Sequence, residues 1–253
     1  MKFFTYPTAA IAGIFLLTAL PASAFDDKTP PLLLSIVGDS TVSSYPAKYP
    51  VHGWGEFIAE RMRPRVQVHN VAVPGASSTS FITEGRWDAA LGEKPKVVLI
   101  QLGHNDSFQR INPLQYQSNL QHFVETARAK GATPILVTPM QLRVFRGEKL
   151  VPSLKPYADV VKEVGARNSV VVIDLNDLSG QLYSRLGPAR VEQLGNPGND
   201  KTHFNRLGAQ AMAEIVLREL SQKLTPLTRE IIAPSPFAPV PSATPTPKPK
   251  RKK

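Results

Sequence analysis

The sequence predicts one three-layer α/β/α domain built on a five-stranded parallel sheet. Five short β-rich runs recur along the chain: PLLLSIV (31–37), RVQVHNVAV (65–73), KVVLIQL (96–102), TPILVTP (133–139) and SVVVIDL (169–175). Three are nearly continuous apolar runs, the mark of strands buried on both faces of a parallel sheet. Helical patterns separate them, and alternating strand and helix calls for parallel strands joined by crossovers. A third observation locates the chemistry: polar, glycine-containing stretches follow the strands, where open α/β sheets place their sites.

Taken in order, the first strand (31–37) runs into GDST (38–41), and a helix is predicted around 54–62. The second strand (65–73) leads into PGASST (74–79), and the third (96–102) into GHND (103–106). A helix over 113–130 returns to the fourth strand, and one over 153–168, of weaker periodicity, returns to the fifth. The segment 176–194 is ambiguous. A last helix over 205–223 follows from Leu207, Met212, Ile215, Val216 and Leu220 at helical spacing, and NDKTH (199–203) precedes it. Asn196, Pro197, Gly198 and Asn199 mark that stretch as a loop. No internal repeat and no second folded domain is visible.

Residues 1–24 read as a secretory signal peptide: a charged start, an apolar stretch over 9–20, and the small residues Ala22, Ser23 and Ala24 at the cleavage site. That stretch is too short for a membrane span, which needs about 20 apolar residues. A secreted or periplasmic protein is expected, with a folded domain over 25–232. The chain has no cysteine, so its core must hold the fold without disulfides. The net charge of +10 overstates the basicity of the body. Lys248, Lys250, Arg251, Lys252 and Lys253 lie in the tail at 233–253 and Lys2 in the leader. Seven prolines keep that tail extended and solvated, with weak adhesion to a polyanion its one candidate role. No basic, aromatic-interleaved face points to nucleic acid.

The four polar stretches supply the parts of a nucleophilic site. A serine hydroxyl attacks only when a base takes its proton. Ser40 stands just past the first strand, and His203 can be that base while Asp200 holds its other ring nitrogen. Gly75 offers an unobstructed backbone N–H, Ser40 its own, and Asn105 a side-chain amide, a donor set for an oxyanion. Singly each has a plain structural reading, Asp200 as a helix cap among them. Their joint order at successive strand ends favours catalysis.

On these residues the chain resembles the SGNH (GDSL-type) hydrolases, matched by Ser40 in GDST, Gly75 in NVAVPGASS, Asn105 in GHND, and Asp200 with His203 in DKTH. HGWGEFI, FITEGRWDAAL, VVLIQLGHND and ARAKGATPILVTP look like the rhamnogalacturonan acetylesterase branch, and the likeness runs from Leu32 to Lys223. The resemblance implies a flavodoxin-like SGNH fold. It implies Ser40 as nucleophile, His203 as base, Asp200 as its partner, and an oxyanion hole of Ser40, Gly75 and Asn105. It implies no cofactor and no metal, and hydrolysis of acetyl esters on a plant cell-wall polysaccharide through an acetyl-serine. A monomer is expected, with the acetylated polysaccharide as substrate and weak polyanion contact through the basic tail as its one further candidate partner. Other esterase chemistries (acetylxylan, peptidoglycan O-acetyl, lipase or thioesterase) and a non-catalytic carbohydrate-binding protein are the alternatives.

Neighbouring residues receive plainer expectations. Asp39, Asp106 and His104 are expected to fix the loops. His52, His69 and His122 lack metal-ligand spacing. Trp54 and Trp87 are expected in the core, with a sugar platform the minor alternative for Trp87. Arg86, Arg143 and Arg146 are expected on the solvated surface, with uronate pairing the sharper alternative.

Overall fold

Strand Val97–Gln101 is the middle of the sheet and is buried throughout, as an uninterrupted VVLIQ run requires. The computed structural model describes residues 31–232, Pro197 and Leu224 excepted. The expected leader (1–24) and tail (233–253) lie outside the described residues. In chain order the strands are β1 (Leu32–Gly38), β2 (Val66–Asn70), β3 (Val97–Gln101), β4 (Thr133–Val137), β5 (Phe145–Arg146), β6 (Lys149–Leu150) and β7 (Val171–Ile173). The helices are α1 (Ser78–Thr83), α2 (Arg86–Gly92), α3 (His104–Phe108), α4 (Pro113–Ala129), α5 (Lys155–Asn168), α6 (Leu175–Leu186), α7 (Pro188–Glu192) and α8 (Arg206–Gln222).

The sheet has five strands with every pairing parallel, as the sequence predicts, and their order is β2-β1-β3-β4-β7. The chain steps outward from β1 to β2, then back across β1 to β3. The two strands at that reversal, β1 and β3, open a crevice at their carboxyl ends. They carry Ser40 and Asn105.

Strand alternation sorts the core into two layers. Leu34, Ile36, Val97, Leu99, Ile135 and Val137 face α6, α8 and the segment after the Ser40 turn. Val37, Val98, Ile100 and Leu136 face α1, α2, α4 and α5. Each such side chain stabilises the fold by about 1.5–3 kcal/mol when fully buried. Helix α8 follows its apolar spacing: Met212, Ile215, Val216 and Leu220 are buried while Leu207 is left partly exposed at its start. Within the described residues, no helix is long and apolar enough to cross a membrane.

Several boundaries differ from expectation. The helix predicted over 54–62 is instead two short 3-10 segments, Trp54–Phe57 and Ala59–Arg61. Backbone N–H groups of Gly53, Trp54 and Gly55 are tied to carbonyls of Ser43, Thr41 and Val42, which anchors the segment to the Ser40 turn, and Pro64 closes it. The ambiguous stretch is helical, as α6 and α7, broken at Gly187. The last strand stops early because Asp174 accepts from the Asp177 N–H and caps α6, which draws Leu175 into the helix. PGASST is half helix: Ser77 and Ser80 form a capping box that starts α1.

Candidate active site

Ser40 sits in the turn that leaves β1, its neighbours fixed from below. Asp39 is fully buried and accepts from the Thr41 N–H at 2.8 Å and the Thr41 hydroxyl at 2.7 Å, while its other oxygen meets His104 Nδ1 at 3.3 Å. The chain of contacts continues from Thr41 Oγ1 to Gln101 Nε2 and from Gln101 Oε1 to Trp54 Nε1, both 2.8 Å. Burial alone would raise the Asp39 pKa, but the charge and hydrogen bond of His104, with both Thr41 donors, bring it below the ordinary carboxylate value. From above, the Tyr45 hydroxyl donates to the Ser40 carbonyl at 3.0 Å. Burial and the Asp39 charge push that phenol up to about 12, so it stays a donor at any working pH.

Asp200 and His203 meet Ser40 from the loop before α8. His203 Nε2 is 2.9 Å from Ser40 Oγ, and His203 Nδ1 is 2.8 Å from Asp200 Oδ2. The other Asp200 oxygen accepts the N–H groups of Thr202 and His203, both at 2.9 Å. Burial opposes ionisation of Asp200, yet these donors and the imidazole outweigh it and bring its pKa to about 2. Asp200 is not the cap of α8; Asn205 is, accepting from the Gly208 N–H. The carboxylate is therefore free to orient the ring, with Nδ1–H donating and Nε2 left as acceptor.

Gly75 lies in the loop after β2, and Asn105 in α3 just past β3. Gly75 adopts φ +81°, a conformation that only glycine takes without strain. Asn105 donates one amide hydrogen to the Ala76 carbonyl at 3.0 Å, and Gln109 reaches the Gly75 carbonyl at 3.3 Å. Asp106 accepts the Ser78 N–H at 3.0 Å and the Ser78 hydroxyl, locking α1 to α3. Burial raises the Asp106 pKa, with the Ser78 donors opposing. The five expected site residues thus gather at one edge of the sheet, four on loops and Asn105 in the first turn of α3, cross-tied by Asp39–His104, Ser78–Asp106 and Asn105–Ala76.

Residues 36–211 match the GDSL-like Lipase/Acylhydrolase family, a span that holds every one of these positions. The chain belongs to that family.

The chain is a carboxylic ester hydrolase, as its relatives named rhamnogalacturonan acetylesterases are. Among its relatives is the rhamnogalacturonan acetylesterase RhgT of Bacillus subtilis, 34% identical over 80% of this chain and 95% of the relative. The probable rhamnogalacturonan acetylesterase YesY of the same organism is 32% identical over 78% of this chain and 96% of its own length. Among solved structures, the protein YxiM of Bacillus subtilis superposes with a TM-score of 0.70 at 28% identity, over 77% of this chain and 57% of that one. An acetylxylan esterase of Geobacillus stearothermophilus, at 18% identity, shares the fold with a TM-score of 0.61 over 76% and 94% of the two chains.

Other expectations fare unevenly within this GDSL-like chain. Asp39, Asp106 and His104 do fix the loops; His104 is buried, and its Nε2 has no protein partner among the described residues. Trp54 is in the core, and so is Trp87, 1% exposed with its ring against Phe123 and its N–H on Thr126 Oγ1, which rules it out as a sugar platform. Arg86 is a surface residue paired with Glu84, and Arg146 is exposed. Arg143 is the correction: it is 2% exposed, with its guanidinium turned inward under the Asp200–His203 loop. The sequence held a signal for that, since Arg143 stands between Leu142 and Val144 just past a buried strand. Among the described residues, no group of three or more His, Asp or Glu is arranged to hold a metal ion.

Proposed function

We propose that this acylhydrolase is a secreted or periplasmic serine esterase that removes acetyl groups from a plant cell-wall polysaccharide, rhamnogalacturonan first. The observation that carries the mechanism is the contact of Ser40 Oγ with His203 Nε2, at 2.9 Å, backed by Asp200. The relatives named as rhamnogalacturonan acetylesterases, aligned over nearly their whole length, support the substrate.

In the proposed reaction His203 Nε2 takes the Ser40 hydroxyl proton as Oγ attacks the acetyl carbonyl carbon. The carbonyl oxygen becomes an oxyanion, met by the N–H groups of Ser40 and Gly75 and by the second amide hydrogen of Asn105. Asp200 stabilises the imidazolium without taking its proton. The imidazolium then protonates the sugar oxygen, the carbon–oxygen bond to the sugar breaks, and acetyl-Ser40 remains. Water, deprotonated by His203, attacks the acetyl group; acetate leaves and Ser40 regains its proton. The leader at 1–24 supports export, and the basic tail fits loose contact with an acidic polymer.

The test is acetate release from acetylated rhamnogalacturonan by the mature protein beside Ser40→Ala. Release that vanishes in the variant supports both nucleophile and substrate. Serine-dependent cleavage of p-nitrophenyl acetate with no release from the polymer would keep the esterase and discard rhamnogalacturonan. Acetylated xylan and peptidoglycan then decide the substrate.

A further inference from the structure

Four consecutive carbonyl oxygens, those of residues 200–203, point at one side chain and its own backbone. The Arg143 N–H donates to the Lys201 carbonyl at 2.9 Å. One guanidinium nitrogen, Nη2, donates to the carbonyls of Asp200 and His203, both at 2.8 Å, and Nη1 donates to that of Thr202 at 3.3 Å. The guanidinium carbon lies 5.0 Å from the centre of the Phe204 ring, and the residue is buried.

The loop makes this arrangement necessary. Residues 200–203 are in neither helix nor strand, so their carbonyls have no ladder to enter. A buried carbonyl left unpaired costs about 1–3 kcal/mol. The Asp200 carboxylate cannot help, being an acceptor itself; it is committed to the N–H groups of Thr202 and His203 and to the imidazole. His203 is therefore held on its N–H side by Asp200 and on its carbonyl side by Arg143, with the Asn196 N–H adding a third bond at 3.0 Å. A planar fork of donors on a permanently charged group suits a run of convergent oxygens, whereas a lysine ammonium meets them from a single nitrogen.

We propose that Arg143 is a positioning residue of the active site: it clamps the backbone of residues 200–203 so that His203 stays aimed at Ser40. The inference rests on the reading of Ser40, His203 and Asp200 as a triad. It also explains Gly195. A Cβ at Gly195 would lie 2.5 Å from Arg143 Nη2 and 2.9 Å from the guanidinium carbon, so the guanidinium needs glycine there. Gly195→Ala is thus a second way to disturb the clamp. It leaves the charge in place and strikes only the end of a flexible side chain.

The experiment compares wild type, Arg143→Ala, Arg143→Lys and Gly195→Ala. Each is corrected for folded fraction by near-UV circular dichroism. Two rates are read: labelling of Ser40 by a fluorophosphonate, which needs no sugar, and turnover of p-nitrophenyl acetate. Because displacing a catalytic group by about 1 Å can cost about 10²-fold, Arg143→Ala should lose about that much in labelling rate and in kcat, with KM changed by less than about threefold. Arg143→Lys and Gly195→Ala should fall between it and wild type. Free guanidinium, below denaturing concentration, should restore part of the Arg143→Ala loss. If Arg143→Ala does not fold, Gly195→Ala decides alone. Variants that melt earlier but label and turn over at the wild-type rate per folded molecule would reduce Arg143 to fold support and overturn the proposal. Wild type that fails to label would remove the triad reading, and this inference with it.

Discussion

His203 Nε2 stands 2.9 Å from Ser40 Oγ although 163 positions of sequence separate the two residues. The sheet makes the meeting possible. Ser40 leaves the carboxyl end of β1 beside the reversal in strand order, and the loop before α8 returns to that same edge. Since one proton passes between these atoms in both halves of the proposed reaction, their losses should not add. Ser40→Ala and His203→Ala are each expected to lower kcat on p-nitrophenyl acetate by about 10³-fold or more, and the double variant by no more than the worse single. A double variant slower than both by the product of their effects would mean the two residues act independently.

The carboxylates set the acid side of stability. Asp200 has a folded pKa of about 2 against an ordinary 3.8, and Asp39 is also held below its ordinary value. A depressed carboxylate stabilises the fold fully above its unfolded pKa, and that contribution is lost as pH falls through the folded one. Through these two groups unfolding free energy should fall steadily from about pH 4 toward about pH 2, while Asp106, whose pKa burial raises, gains stability as pH falls through its own titration. The proposed reaction uses a single base, so the acid limb of kcat/KM should have the slope of one proton. Chemical denaturation and initial rates over the same buffers read both curves; a limb of slope two would place a second titrating group in the mechanism.

The parallel sheet, the site loops and the residues that meet at Ser40 were legible because each has a local signature. Apolar runs of strand length mark β1, β3 and β4, and glycine among polar residues marks the turns after β1 and β3, GDST and GHND. Less legible were features settled by partners far away in sequence. The 3-10 segments after the Ser40 turn depend on carbonyls of Thr41, Val42 and Ser43, and α1 depends on a capping box within what reads as a loop. Arg143 is the clearest case. An arginine is solvated by default, and what reverses that default is a set of three carbonyls about 60 residues later, visible only once the loop has its shape.

Trp87 tests the division between core and site. Its indole packs 4.6 Å from the Phe123 ring and donates to Thr126 Oγ1 at 2.7 Å, on the face of the sheet covered by α2 and α4. Trp87→Ala should lower unfolding free energy by about 3–5 kcal/mol, the usual cost of deleting a buried aromatic. Per folded molecule, KM on the polysaccharide should not change. A raised KM with intact stability would return Trp87 to the sugar-binding surface.

Asp39 tests whether the network beneath the nucleophile governs its position. Asp39→Asn keeps one oxygen for the Thr41 donors but turns an amide toward His104 Nδ1, which now faces a neutral group at 3.3 Å instead of a carboxylate. With both side chains buried, the mismatch should cost about 2–4 kcal/mol. The turn that carries Ser40 also hangs on this side chain, because Asp39 Oδ1 accepts the N–H and hydroxyl of Thr41, the residue after Ser40. A shift of the turn moves Oγ away from His203 Nε2. Turnover of p-nitrophenyl acetate should then drop by about tenfold per folded molecule, with Ser40 labelling by a fluorophosphonate slowed to match. Loss of stability with both rates unchanged would show that Asp39 holds the fold together while the turn keeps its own shape.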